Sequence, residues 1–118
     1  MKNFNRASGS ILEWLIMFRP SKTIQGTLWW LIAGTKGGDT RGRIILAIKE
    51  MPQNANQLAE TLQMDYKTMR GHLKVLEKNK IVMPAGSGYG ITYLLSTEME
   101  ENFVEFEKIW EKVGKAKK

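Results

Sequence analysis

The sequence predicts a mostly α fold with one small β-hairpin, and three observations carry the prediction. A short capped helix, a tight turn and a longer basic helix follow one another between Asn54 and Asn79. Two β-prone runs around a glycine-rich turn come directly after, at Ile81–Pro84 and Ile91–Leu95. Apolar runs at helical spacing lie on both sides of this block. In that order the elements make a winged helix-turn-helix, with extra helices at its N- and C-terminal ends.

Each element has a local reason. Met1–Ser10 is polar and reads as a frayed end. Ile11–Phe18 is a run of eight, apolar except for Glu13, that fits a short helix, closed at Arg19-Pro20 because the residue before proline avoids helical geometry. Thr23–Ala33 reads as a second helix, ended by Gly34 and the Gly37-Gly38 pair. Asp39 or Thr40 is expected to cap a third, Arg41–Glu50, in which Ile44, Ile45, Ile48 and Met51 keep helical spacing and which Pro52 stops.

Asn54 opens the next helix, and Gln57 three residues on completes a capping box. Its buried stripe is Leu58, Ala59 and Leu62, with Ala59 small where two helices must cross closely. Gln63-Met64-Asp65 is the turn, and Asp65 is a good N-cap for a helix that runs to about Asn79. The segment Ala85-Gly86-Ser87-Gly88-Tyr89-Gly90 reads as the hairpin connection. Thr97 is expected to cap the last helix, with Glu100 as the partner in a second box. Residues 1–38 thus form an N-terminal helical extension, 39–96 the winged helix-turn-helix, and 97–118 a C-terminal helix.

Composition narrows the function. The 118 residues are 42% hydrophobic and 25% charged, which is globular and sufficient for one compact core. With no cysteine, disulfides, cysteine-ligated zinc and thiol catalysis are excluded, and the single histidine, His72, leaves no His cluster for a metal. A cysteine-free chain of this kind fits the cytoplasm. The net charge of +6 favours an anionic partner. The excess lies in the first 80 residues: residues 1–50 carry eight Lys or Arg against three Asp or Glu, 51–80 five against three, and 81–118 five against six. The apolar runs Ile11–Phe18 and Thr27–Gly34 are each far shorter than the roughly 20 residues a spanning helix needs, and Arg19, Pro20 and Lys22 separate them. No integral membrane span is expected.

The longer helix carries the chemistry. At about 100° per residue, Met69, Leu73 and Leu76 fall within about 60° of one another and define a buried face. Lys67, Arg70, Gly71, Lys74 and Lys78 fall on the opposite face. Four cations on one side of one helix suit a phosphate backbone, where counterion release supplies affinity. Tyr66, Lys67, Thr68 and Arg70 stand near the helix start, from which side chains reach base edges and Arg can pair with guanine. Gly71 costs about 1 kcal/mol relative to alanine in a helix interior; on the cationic face it would let the backbone approach a groove wall. Lys78, Lys80, Arg41 and Arg43 are expected at phosphates, and Ser87 and Tyr89 at the wing tip. His72, at the edge of the buried face, reads as a packing or phosphate-contacting residue.

The flanks suggest association. Met99, Phe103, Phe106, Trp110 and Val113 recur at heptad spacing, but over only two heptads, which leaves docking within the chain and pairing with a second subunit both open. Trp14, Trp29 and Trp30 add large apolar area that one small domain covers with difficulty. A homodimer is therefore expected, and its two-fold symmetry suits half-sites one helical turn apart.

The stretches "TRGRIILAI", "NANQLAETLQMDYKTMRGHLKVLEKNKIV" and "GYGITYLLS" resemble ArsR-type winged helix-turn-helix regulators, particularly the simple archaeal versions. The likeness covers about Thr40 to Ser96, and "HLKVLEKNKIV" is its most specific part. It implies sequence-specific binding of double-stranded DNA, a role in transcription regulation, and dimerisation through helices outside the reading head. The metal-sensing cysteines of that family are absent, Gln63 stands where its turn carries glycine, and the wing lacks a basic tip, since no Lys or Arg occurs between Lys80 and Thr97.

No nucleophile elbow, Walker loop, His-paired nucleophile or metal-ligand spacing occurs, and no cofactor is expected. Gly86, Gly88 and Gly90 sit between strands and do not open a helix, so they fail as a phosphate cradle. Two other readings remain: a winged-helix protein-interaction module, and a membrane-associated regulator tethered by the Trp-rich start.

Overall fold

The computed structural model describes residues 23–116. The expected helix Ile11–Phe18, with Trp14, lies outside them. Helix α1 (Ile24–Leu28) starts where Thr23 Oγ1 accepts the Gly26 N–H at 2.9 Å, and it widens into a π-type turn over Trp29–Ala33. Gly34 closes it, donating its N–H to the Trp29 carbonyl at 3.0 Å.

Helix α2 (Gly38–Glu50) corrects one expectation. Its N-cap is Gly37, at φ 88°, with no side-chain cap, and neither Asp39 nor Thr40 fills that role. The reason is tertiary: Gly38 is pressed against the Ile32 carbonyl, where a Cβ would collide with backbone, so the chain must turn left-handed just before it.

Helix α3 (Ala55–Leu62) opens with the expected box, Gln57 N–H to Asn54 Oδ1 at 2.8 Å and Asn54 N–H to Gln57 Oε1 at 2.9 Å. The turn then places Gln63 in the left-handed region at φ 55°. Helix α4 (Tyr66–Lys78) begins at Asp65, which accepts the Thr68 N–H at 3.0 Å and its hydroxyl at 2.6 Å. It ends at Asn79, and Lys80 takes φ 62° so that Ile81 N–H reaches back to the Leu76 carbonyl at 2.9 Å.

Strands β1 (Val82–Ala85) and β2 (Thr92–Leu95) pair antiparallel, Val82 opposite Leu95 and Ala85 opposite Thr92. Each starts one residue later than the apolar runs predict, because Ile81 is spent closing α4 and Ile91 leaves the Gly88–Gly90 turn. Gln53 bridges to Tyr93 on the other edge of β2.

The C-terminal part holds two further corrections. Ser96, not Thr97, is the cap: its hydroxyl accepts the Met99 N–H at 3.0 Å. The expected single helix is broken into α5 (Thr97–Glu101) and α6 (Phe103–Ala116). Asn102 stands at the break, its side-chain amide donating to the Glu98 carbonyl at 2.9 Å. That interruption removes Met99 from any heptad seam with α6. The buried face of α6 is instead centred on Phe106 and Ile109, 0% and 2% exposed, an ordinary amphipathic stripe.

One cluster of buried side chains runs through the described residues. Leu28, Leu31 and Ile32 meet Ile44, Ile45 and Ile48 of α2; Leu58, Met69, Leu73 and Leu76 extend it through α3 and α4; Tyr93, Leu95, Met99 and Phe106 complete it. The fold is thus mostly helical with a two-stranded wing, and it holds α4 against the core by one face only.

Candidate nucleic-acid interface

Helix α4 divides cleanly. Met69, Leu73 and Leu76 are 0–1% exposed, while Lys67, Arg70, Gly71, Lys74 and Lys78 all face solvent. Among the described residues none of these four cations is in a salt bridge, so the row is not neutralised by a neighbouring carboxylate. Lys80 is exposed at its C-terminal end. Gly71 has nothing within 4 Å of where a Cβ would stand, so no packing among the described residues requires glycine there.

At the start of α4, Tyr66 is 48% exposed, and Thr68 is exposed with its hydroxyl committed to Asp65. That hydroxyl first, and the Thr68 N–H second, hold the Asp65 carboxyl below its ordinary pKa. Asp65 therefore stays ionised at neutral pH, where a negative charge favours the helix N-terminus.

Arg70 is the one cation of the row tied to another element: its Nη1 donates to Tyr93 Oη at 3.3 Å. Tyr93 lies on β2 and is 5% exposed. Its backbone N–H donates to the Gln53 carbonyl at 2.8 Å. Gln53, also buried, donates through Nε2 to the Ala47 and Met51 carbonyls and accepts the Thr61 hydroxyl at 3.0 Å. Neither Tyr93 nor Gln53 stood out in the sequence. Alternation along Thr92–Leu95 puts Tyr93 on the face of Leu95, and that was the available signal.

Arg41 does not join the cationic surface, which corrects the expectation of a phosphate contact. It is 7% exposed, with its guanidinium turned inward. Nε and Nη2 donate to the Leu31 carbonyl at 3.1 and 2.9 Å, and Nη2 also donates to Thr35 Oγ1 and to the Lys36 carbonyl. A cation here caps the carbonyl end of the α1 turn. Burial lowers its pKa from the ordinary value. Nη1 lies 3.5 Å from His72 Nδ1. An arginine can only donate, so Nδ1 accepts and the His72 proton sits on Nε2. Burial first and the Arg41 charge second push the His72 pKa down, which keeps the ring neutral at pH 7.

Arg43 is exposed and lies 3.4 Å from Asp39, an i,i+4 pair of small energetic weight. Ser87 is exposed at the wing tip, and the Tyr89 side chain lies outside what is described.

The apolar residues expected at a subunit interface separate into three groups within the described residues. Met99 and Phe106 are fully buried within the chain, so they are core and offer nothing to a second copy. Phe103, Trp110 and Val113 are half-buried: Phe106 stacks on Trp110 at 5.8 Å, and the Trp110 ring occupies the space a Gly42 side chain would need. Trp29 and Trp30 remain exposed, at 41% and 48%, with Lys112 Nζ 5.5 Å from the Trp29 ring.

Among the described residues no three His, Cys, Asp or Glu come together as a metal site, and no helix is long and apolar enough to cross a membrane.

No protein-family model and no curated protein matches the chain. Solved structures do. A probable transcriptional regulator from Pseudomonas aeruginosa aligns over 79% of this chain and 76% of its own, at 20% identity and a TM-score of 0.53. A substituted variant of S. aureus MepR, bound to an oligodeoxyribonucleotide, aligns over 94% of this chain and 82% of its own, at 17% identity and a TM-score of 0.55. At these identities the likeness establishes the fold alone, a winged helix.

Proposed function

We propose that this protein is a sequence-specific, double-stranded DNA-binding transcriptional regulator that acts as a homodimer, with α4 in the major groove. The observation that carries the reading is the outer face of α4: four cations in no salt bridge, beside a glycine whose missing side chain serves no contact among the described residues. Lys67, Thr68, Arg70 and Gly71 would meet base edges or the groove wall, and Lys74, Lys78, Lys80 and Arg43 phosphates. The oligodeoxyribonucleotide bound to the MepR variant supports the same partner for this fold. An ArsR-like subtype without metal sensing agrees with the motifs and the missing cysteines, and such a regulator works in the cytoplasm.

The exposed Trp29 and Trp30 are the surface we assign to the second subunit; Trp14, expected there from the sequence, lies outside the described residues. Analytical ultracentrifugation at micromolar concentration should give a dimer; a clean monomer would overturn this part.

Replacing Lys67 and Arg70 together by alanine tests the DNA reading. Both are exposed, so the fold should persist while binding to a duplex selected by the protein is lost. Normal binding by the double variant would refute the assignment of α4. A protein-interaction module is the alternative, favoured by a wing without Lys or Arg and with Met83 45% exposed; it requires no duplex binding even at low salt.

A further inference from the structure

The wing poses a problem for the reading above. Between Lys80 and Thr97 it has no Lys or Arg to grip a phosphate. Yet one of its buried side chains holds the cation of α4 best suited to read a base. We propose that the wing contributes to sequence reading indirectly, with Tyr93 as the positioning residue that orients the Arg70 guanidinium. This rests on the assignment of α4 as the reading helix and goes beyond it, because it gives the hairpin a role that needs no contact with DNA.

The geometry supports a fixed support. Tyr93 as a whole is 5% exposed, so the phenol has little freedom, and its hydroxyl accepts the Arg70 Nη1–H at 3.3 Å. The strand beneath is anchored on both edges, by pairing with β1 opposite Pro84 and by the 2.8 Å bond from Tyr93 N–H to the Gln53 carbonyl. Gln53 in turn is 7% exposed and bonded to carbonyls at the end of α2 and to Thr61 of α3. A chain of hydrogen bonds thus runs from the end of α2, through the buried edge of the wing, to a guanidinium at the surface of α4.

An arginine has five N–H donors in a rigid fork. One bond to Tyr93 leaves enough of the fork free for bidentate pairing with guanine O6 and N7. A free arginine must give up rotamer freedom when it binds; one already held gives up less. Orienting a single such side chain is worth about two- to tenfold in affinity. The gain belongs to sequences that offer the matching acceptor pair, so it appears as specificity. A phosphate can be reached from many rotamers and gains little.

The test uses the full-length protein and two probes: a duplex enriched by the protein from a random library, and a shuffled duplex of the same composition. Tyr93→Phe keeps the ring and removes only the hydroxyl. It should weaken binding to the enriched duplex by about two- to tenfold and leave the shuffled duplex unchanged. In an Arg70→Ala background the Tyr93→Phe change should add nothing. In the free protein labelled with ¹⁵N, rotation of the Arg70 guanidinium should be slow in the wild type and faster in Tyr93→Phe, which measures positioning without DNA. Equal losses in the two backgrounds would show that Tyr93 only supports the fold, and unchanged guanidinium rotation would overturn the proposal outright. If Arg70→Ala binds the enriched duplex normally, or no duplex is enriched, the assignment of α4 itself has failed. If Arg70→Ala loses binding while Tyr93→Phe does not, only the role of Tyr93 is refuted.

Discussion

Gly71→Ala separates what the fold wants from what the proposed function wants. Gly71 lies in the middle of α4, is exposed, keeps an ordinary helical φ and has open space where a Cβ would go. Nothing among the described residues opposes the methyl group. Alanine should therefore stabilise the protein by about 0.8–1 kcal/mol, from helix propensity and a less flexible unfolded chain. For a domain of about 100 residues that raises the melting midpoint by about 4–8 °C. Against DNA the sign reverses. A methyl group on the face that meets the groove pushes the backbone away from its closest approach, and a tenfold loss corresponds to about 1.4 kcal/mol. Calorimetry for stability and fluorescence anisotropy for duplex binding read the two effects separately. A variant that is more stable and binds as before would show that the glycine has no part in recognition. A variant that is no more stable would refute the helix-interior reasoning itself.

Two other perturbations follow the same logic. Lys80 occupies a left-handed position that glycine holds at lower cost, so Lys80→Gly should raise stability by about 0.5–1 kcal/mol after allowing for glycine's greater chain entropy; it should weaken binding alike on all sequences and reduce the salt slope by about 0.9. Binding that stays unchanged would remove Lys80 from the interface. His72 gives a pH dependence. Its pKa is lowered in the folded state, so its contribution is intact above the ordinary value of 6.5 and declines as pH falls through the lower folded value, because the unfolded chain takes up the proton first. Urea unfolding should show a stability drop between about pH 7.5 and 5.5 that is smaller in His72→Gln; an equal drop in both would assign the effect to other groups.

What the sequence made legible was local chemistry. The Asn54–Gln57 box and the Asp65 cap involve partners three residues away, and both form as expected. The division of α4 into an apolar and a cationic face is likewise a matter of period. Tertiary effects hid the rest. Gly37 displaces two good cap residues because Gly38 must sit on the Ile32 carbonyl. Ser96 and Thr97 are adjacent and chemically alike, so residue type does not choose between them, and it is the Ser96 hydroxyl that takes the Met99 N–H. Arg41 reads as a surface cation until the carbonyls of Leu31 and Lys36, ten and five residues back, converge on it. Tyr93 owes its place in the candidate interface to contacts with Arg70 and with the Gln53 carbonyl that no short window of sequence contains.

The central claim is that α4 binds duplex DNA through its cations, and the salt dependence of binding tests it most directly. Four to six phosphate contacts give a log–log slope of about −4 to −5 per subunit. That slope, made shallower by about 0.9 for each of Lys74, Lys78 and Lys80 replaced by alanine, is the expected result. A flat titration, or no duplex binding at the lowest salt, would contradict the account.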